Sequence, residues 1–228
     1  MKGNRNILRF SLNWRIQHFL LMISVFFLII SGIALKFSDS WFGKFLIFLE
    51  GGFEARGALH RLSAILLIIT ALYHLIYIIF TKEGRKEFKS LIFEKKDFSD
   101  YYSLILYNLG KREEKPKIKR YGFREKVQYW VFFIFVFLMI VTGIVMWWHN
   151  YFFIFIPKWL FDLIYGIHGW TGTLILIFII LWHLYEIHLT PSNFPINMSF
   201  WDGYVSEEWL KEEHFLEYEE IKNKKGEK

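Results

Sequence analysis

Residues 165–189 read YGIHGWTGTLILIFIILWHLYEIHL. At about 1.5 Å of rise per residue, a helix of this length crosses a bilayer. The stretch is almost wholly apolar, yet it carries His168, His183, His188 and Glu186. An ionisable group at membrane depth is costly, so its presence points to function. His168 and His183 are fifteen residues apart, about 22 Å along a helix. At about 100° per residue they return to within about 60° of one face. One helix therefore offers an imidazole near each membrane surface, both toward roughly the same neighbour. That arrangement suits two haems stacked across a membrane, provided the rest of the chain supplies the opposite ligands.

The remaining composition agrees with a membrane protein. Of 228 residues, 54% are hydrophobic and 21% aromatic, and the apolar residues fall in blocks rather than spreading as in a large soluble core. The sequence contains no cysteine, which excludes iron–sulfur clusters, covalently attached c-type haem and disulfides within it. Any metal must be held by His, Met or carboxylate. The first apolar block is too long for a signal-peptide core, and no small-residue cleavage site follows it, so no cleavable leader is expected.

The fold class expected is all-α: an integral membrane four-helix bundle with interfacial outer helices, read as a single domain over residues 1–228. The four spans are expected at about 14–35, 57–80, 127–148 and 165–189. WFGKFLIFLE in the first outer segment and FFIFIP in the second are apolar but too short to cross, so they are expected to lie in the interface. The loop at 81–126 holds fourteen Lys or Arg and eight acids. The amino terminus is basic through Lys2, Arg5, Arg9 and Arg15. The outer segments hold few basic residues, so the positive-inside rule puts both termini and the middle loop in the cytoplasm. The tail from Thr190 is polar and acid-rich.

A weak internal repeat runs through the spans. Span one reads FLIISGI through Ser31 and Gly32, and span three reads FLMIVTGI through Thr142 and Gly143. Span two opens with His60 and span four with His168, each just after a glycine. His18 of span one faces Tyr129 in this alignment, so the histidines are not fully duplicated. His60 and His74 are fourteen residues apart, again within about 40° of one helix face. His60 and His168 match in depth near the outer side; His74, His183 and His18 match near the inner side. Five histidines layered at two depths argue against core histidines that merely satisfy one another. Zinc would need four ligands converging on one point, whereas bis-histidine haem needs two per layer.

The small surfaces of Gly32, Gly57, Gly143, Gly166, Gly169 and Gly172 suit close approach to a flat cofactor. Arg15 and Arg61 are candidates to pair with haem propionates, although a basic residue at a span end also snorkels without any ligand. On an α-helical wheel His188 points about 140° away from His183, as an interfacial residue. Glu186 reads as a flank residue near the inner surface. No role is assigned to His149 or His214.

An ordered set of motifs resembles a known family. These are Arg15-Ile-Gln-His18-Phe with Ser31-Gly32, Leu-His60-Arg61, Tyr107-Asn-Leu-Gly110, and Glu125-Lys126-Val-Gln-Tyr129-Trp130. They continue with Ile167-His168, Trp182-His183-Leu-Tyr185, and the tail from Gly203 to Tyr218. Together they resemble the membrane di-haem cytochrome b subunits of formate dehydrogenases, nickel-iron hydrogenases and thiosulfate-reductase-type complexes. The resemblance implies haem b ligands at His18, His60, His168 and His183, with an outer haem on His60 and His168 and an inner haem on His18 and His183. The depth reading leaves a rival open, in which His74 pairs with His183 and both haems lie between spans two and four. A third haem using the spare histidine is a further possibility. In the formate dehydrogenase subunit an asparagine after the tyrosine before span three helps line the quinone site; here Gly122 follows Tyr121.

The function this implies is an electron-transfer subunit of the prokaryotic cytoplasmic membrane, with at least two haem b groups. It would connect an outer-facing redox partner, either an iron–sulfur protein or a multihaem cytochrome c, with menaquinone or ubiquinone. The chain carries no substrate-oxidising centre of its own, and nucleic acid is not among the expected partners. Two other readings remain: a cofactor-free membrane anchor, and a standalone transmembrane reductase of small substrates.

Overall fold

The computed structural model describes residues 5–226, with side chains from 7 to 224; Lys2, counted above toward the basic amino terminus, lies outside them. In chain order the elements are β1 (Arg5–Leu8), α1 (Leu12–Lys36), α2 (Trp41–Leu49), α3 (Phe53–Phe80), α4 (Lys82–Leu91), α5 (Lys95–Asn108), α6 (Phe123–Trp147), α7 (His149–Phe152) and α8 (Lys158–Phe178). Two π-helical turns follow (Ile179–His183 and Tyr185–Leu189), then α9 (Ser199–Asp202), β2 (Tyr204–Ser206), α10 (Glu207–Glu213) and α11 (Phe215–Gly226). Among the described residues the protein is all-α apart from one two-stranded ribbon.

Among the described residues, four helices are long and apolar enough to cross a membrane: Leu12–Lys36, Phe53–Phe80, Phe123–Trp147 and Lys158–Leu189. All four begin earlier than hydrophobicity alone suggests, the first by only two residues. Glu54 and Glu125 sit in the first turns of α3 and α6, where a carboxylate complements the helix dipole. The fourth starts seven residues early because Pro157 caps α8, its fixed φ being suited to a helix start. Residues 158–164, expected to belong to an interfacial segment, are therefore continuous with the last span.

The chain divides into two compact units. The helical unit comprises Ile16–Leu75 and Phe132–His183. Its burial pattern is the reverse of a soluble core. Phe26, Ile69, Phe137 and Leu181 are more than half exposed, whereas Ser24, Ser31, Ala34, Thr70, Thr142 and Thr171 are buried. Small and hydroxylated residues let helices approach closely where lipid, not water, surrounds them. Each hydroxyl must then find a partner, because none is available in hydrocarbon. Ser24 Oγ donates to the Leu21 carbonyl at 3.0 Å and Thr70 Oγ1 to the Leu66 carbonyl at 2.8 Å. Outside the spans, α2 is capped by Ser40, whose Oγ accepts the Gly43 amide at 3.0 Å. Gly43 is required there, since a Cβ would lie 2.0 Å from the Phe37 carbonyl oxygen. The helix buries Gly43 and Ile47 and exposes Trp41 and Phe48, as an interfacial helix does.

The polar unit comprises Met1–Arg15, Ile76–Val131 and Leu184–Lys228. Its tail is folded rather than merely polar. β1 and β2 pair antiparallel, and Ile7, Val205, Trp209 and Leu210 form a small apolar core against Tyr218 and Ile221. Ser206 caps α10 by accepting the Trp209 amide at 3.1 Å. Buried ion pairs tie the segments together. Glu217 lies 3.1 Å from Arg9 and 2.5 Å from Arg120, and Arg120 reaches Glu87 at 2.9 Å. Lys126, nearly fully buried, pairs with Asp97 at 2.7 Å and donates to the Ile92 carbonyl at 3.0 Å. A buried ammonium is tolerable only with such partners.

His214, to which the sequence assigned no role, is buried in this unit. Its Nδ1–H donates to the Lys119 carbonyl at 2.7 Å, and Nε2 lies 3.6 Å from Glu125. Burial, reinforced by the positive charges of Arg9, Arg120 and Lys115, holds its pKa well below the usual imidazole value of 6.5. The folded unit thus keeps His214 neutral, while the unfolded chain protonates it as pH falls through about 6.5. Its contribution to stability is full above that pH and is lost below it. Limited proteolysis of the 184–228 segment in membrane vesicles is therefore expected to accelerate between pH 7.5 and 5.5. His214→Gln is expected to flatten that dependence.

Candidate functional site

Within the helical unit, α1, α3, α6 and the last span carry the histidines. The structure brings them together in pairs. The His60 and His168 ring centroids lie 6.4 Å apart, and those of His18 and His183 lie 6.2 Å apart. Each pair draws its two imidazoles from different spans. The separation has a chemical meaning: a metal–imidazole nitrogen bond of about 2 Å on each side of one ion puts the two ring centres about 6 Å apart. The separation within each pair would therefore suit one metal ion held between the two rings.

The outer pair shows how the rings are aimed. His60 Nδ1 lies 2.9 Å from Ser31 Oγ, and His168 Nδ1 lies 2.8 Å from Thr142 Oγ1. Each hydroxyl also donates to its own helix, Ser31 to the Phe27 carbonyl at 2.6 Å and Thr142 to the Leu138 carbonyl at 2.7 Å. Directly after each hydroxyl comes a glycine against the same ring. A Cβ on Gly32 would meet His60 Cε1 at 3.8 Å, and one on Gly143 would press on His168 Cε1 at 3.3 Å. At Gly166 and Gly169, either side of His168, no atom beyond the chain neighbours and the helix's own backbone lies within 4 Å of where a Cβ would be, which leaves open space for a flat ligand.

Around the inner pair, Phe132 meets the His183 ring edge-on at 5.8 Å and the Phe178 ring at 5.4 Å. Trp182 Nε1, one residue before His183, is buried with no hydrogen-bond acceptor among the described residues. His74 makes a hydrogen bond of 2.8 Å from Nδ1 to Gln17 Oε1. Gln17 immediately precedes His18, so His74 braces the turn of α1 that presents His18. At the outer end, Arg56 donates to the Ser31 carbonyl at 3.0 Å. Lys36 reaches the Gly169 carbonyl and Thr173 Oγ1 and stands 3.7 Å over the Trp170 ring. Glu50, just outside the spans, keeps both carboxylate oxygens buried without hydrogen-bond partners among the described residues, and burial, opposed by Arg56, raises its pKa.

Of the arginines singled out in the sequence, Arg61 lies against Gly57 one turn before it. Arg15, in the polar unit, donates from Nη1 to the Trp201 carbonyl at 2.6 Å and keeps Nε buried without an acceptor among the described residues. His188 is also in the polar unit: its Nδ1 accepts the Asn197 amide at 3.3 Å, and its ring meets Phe200 at 5.8 Å. It lies within the second π-helical turn, so the α-helical angle of about 140° between His183 and His188 does not apply, because a π turn advances less per residue. Glu186, read from sequence as a solvated flank, is ion-paired with Arg124 at 2.7 Å.

Sequence reasoning missed Ser31 and Thr142 as partners of the histidines, although their repeated place before a glycine was the available signal. It also missed the bond between Gln17 and His74.

The chain is also similar to known proteins. The prokaryotic cytochrome b561 family matches residues 9–190, a range that contains all four spans and every paired histidine. The cytochrome b556(Fdn) subunit of nitrate-inducible formate dehydrogenase from Escherichia coli K12 is 26% identical over 135 residues, 59% of this chain and 60% of the relative. The corresponding subunits of Escherichia coli O157:H7 and Shigella flexneri match to the same extent. The match thus spans about 60% of the length of these relatives. Family, four apolar spans and paired imidazoles converge: the chain belongs to the prokaryotic cytochrome b561 family, as a multi-pass haem b electron-transfer protein of the prokaryotic inner membrane.

Proposed function

We propose that the chain is the membrane subunit of an oxidoreductase complex, holding two haem b groups and working between an outer-facing redox subunit and the quinone pool. The observation that carries this reading is the pair of imidazole pairs, each 6.2–6.4 Å between ring centres. His60 and His168 would hold the outer haem, and His18 and His183 the inner one. When bound, haem b supplies a one-electron ferric–ferrous couple whose potential the protein sets.

The chain's own residues do the rest. His18, His60, His168 and His183 would hold the haem iron. Ser31 and Thr142 hold two of those rings in place, and His74 supports the turn that carries His18. Arg15 and Arg61 are the proposed propionate partners; the unshared Nε of Arg15 supports its part. The apolar spans exclude water from between the two layers. The basic middle loop and amino terminus support a cytoplasmic location for both termini. The likeness to a subunit of formate dehydrogenase and the family-like motifs support a dehydrogenase-type partner on the outer side and a quinone as diffusible substrate.

A haem-to-protein ratio by pyridine haemochrome on full-length protein made with ample haem tests the ligand set. Wild type is expected to hold two haems, and His60→Ala, His168→Ala, His18→Ala and His183→Ala are each expected to lose one. His74→Ala is expected to keep both, because His74 acts through Gln17. Loss of a haem in His74→Ala but not in His18→Ala would move the inner site to spans two and four, and three haems in wild type would make His74 a ligand as well. Protein without haem would leave the membrane-anchor reading.

The quinone step has its own measurement. Dithionite-reduced protein in detergent is expected to be reoxidised by a soluble menaquinone analogue under argon. An unchanged reduced spectrum would contradict a quinone site in this chain.

A further inference from the structure

The haem reading names four axial histidines but not what aims them. We infer that Ser31 and Thr142 are a matched pair of positioning residues that fix the tautomer and ring plane of both outer ligands and so help set the potential of the outer haem. The inference rests on the proposed ligand set and goes beyond it.

The argument is a count of protons. A hydroxyl has one proton to donate and lone pairs with which to accept. Ser31 Oγ places its proton on the Phe27 carbonyl at 2.6 Å, and Thr142 Oγ1 on the Leu138 carbonyl at 2.7 Å. Such back-bonding to the preceding turn is how a hydroxyl is satisfied in an apolar helix. Toward the imidazole each oxygen can then only accept. The contacts at 2.9 Å and 2.8 Å are therefore donated by Nδ1–H of His60 and of His168. With Nδ1 protonated in both rings, the lone pair of the neutral imidazole sits on Nε2. Each outer histidine is thus locked into the tautomer that offers Nε2 to a metal, with no carboxylate involved.

The geometry is duplicated. Ser31-Gly32 on α1 serves His60 on α3, and Thr142-Gly143 on α6 serves His168 on α8. In each case the hydroxyl holds Nδ1 while the following glycine makes room for the ring, 3.8 Å and 3.3 Å from Cε1 to the position of a Cβ. The hydroxyl–glycine step is thus one device used twice on one haem. A hydrogen bond from Nδ1–H raises the basicity of the ligating nitrogen, which favours the ferric state. Removing the acceptor raises the midpoint potential.

The test uses full-length purified protein carrying Ser31→Ala or Thr142→Val, with Ser31→Thr and Thr142→Ser as conservative partners. Haem content, redox titration and electron paramagnetic resonance are read on each. Haem content is expected to equal that of wild type in all four. In Ser31→Ala and Thr142→Val the outer haem is expected to move toward the ferrous state by up to about tenfold at fixed potential, about 59 mV for a one-electron couple. Its largest g value, which reports the angle between the axial rings, shifts with it. The inner haem keeps both values, and Ser31→Thr and Thr142→Ser retain the wild-type outer signal. Loss of the outer haem alone in Ser31→Ala, with full content in Ser31→Thr, supports the same role. The inference is overturned if the outer potential and g value are unchanged in both deletion variants, or if the conservative variants behave as the deletions do. Wild-type protein without haem would overturn the ligand reading as well; a normal haem count that falls in His60→Ala, with no effect of Ser31→Ala or Thr142→Val, overturns this inference alone.

Discussion

An imidazole placed in hydrocarbon has two nitrogens and no water for either, and the helical unit is arranged around that constraint. One nitrogen needs a protein partner, and in the reading proposed above the other would face haem iron, since a polar group left unsatisfied in hydrocarbon is costly. At the outer layer the first demand is met by two hydroxyls that are themselves anchored to their own helices. The helices approach closely enough for this because the facing positions are Ser, Thr, Gly and Ala rather than Leu or Phe. Large apolar side chains are consequently turned outward, where lipid is the solvent.

The two layers are built differently. The outer one has an internal symmetry, with span one serving span two and span three serving span four through the same dipeptide pattern. At the inner layer His18 of span one stands beside His183 of span four, and the corresponding position of span three is Tyr129 rather than histidine. Phe132 stands edge-on to the His183 ring. The ring planes differ too, at 65° between His60 and His168 and 39° between His18 and His183. If each pair holds a haem, as proposed above, different partners and ring angles would give the two different potentials on one short chain.

Much of this was legible in the sequence, and the reasons differ by feature. Span number follows from apolar length, because a bilayer admits few solutions. The histidine layers follow from spacing, since fourteen or fifteen residues return nearly to one helix face. Span starts were less legible, because Glu54, Glu125 and Pro157 act through the dipole and the backbone rather than hydrophobicity. The direction of His188 was not legible, because an α-helical wheel cannot foresee a π turn. The choice between His18 and His74 was left open by depth alone; the position of His18 beside His183 supports the first in the reading proposed above. Ser31 and Thr142 were visible only as a repeat, since their partners lie 29 and 26 residues away on other helices. The folded tail was hidden by its charge: Glu217 reads as one acid among many, yet it is buried between Arg9 and Arg120.

The most direct measurement of the central claim is the low-temperature electron paramagnetic resonance spectrum of the air-oxidised, purified wild-type protein. Two bis-histidine sites with different ring angles predict two low-spin ferric signals of equal intensity, distinct in their largest g value, and no high-spin signal. A high-spin signal, which requires an iron lacking its second imidazole, or a single low-spin species accounting for all the haem, would contradict the arrangement of the four histidines described above.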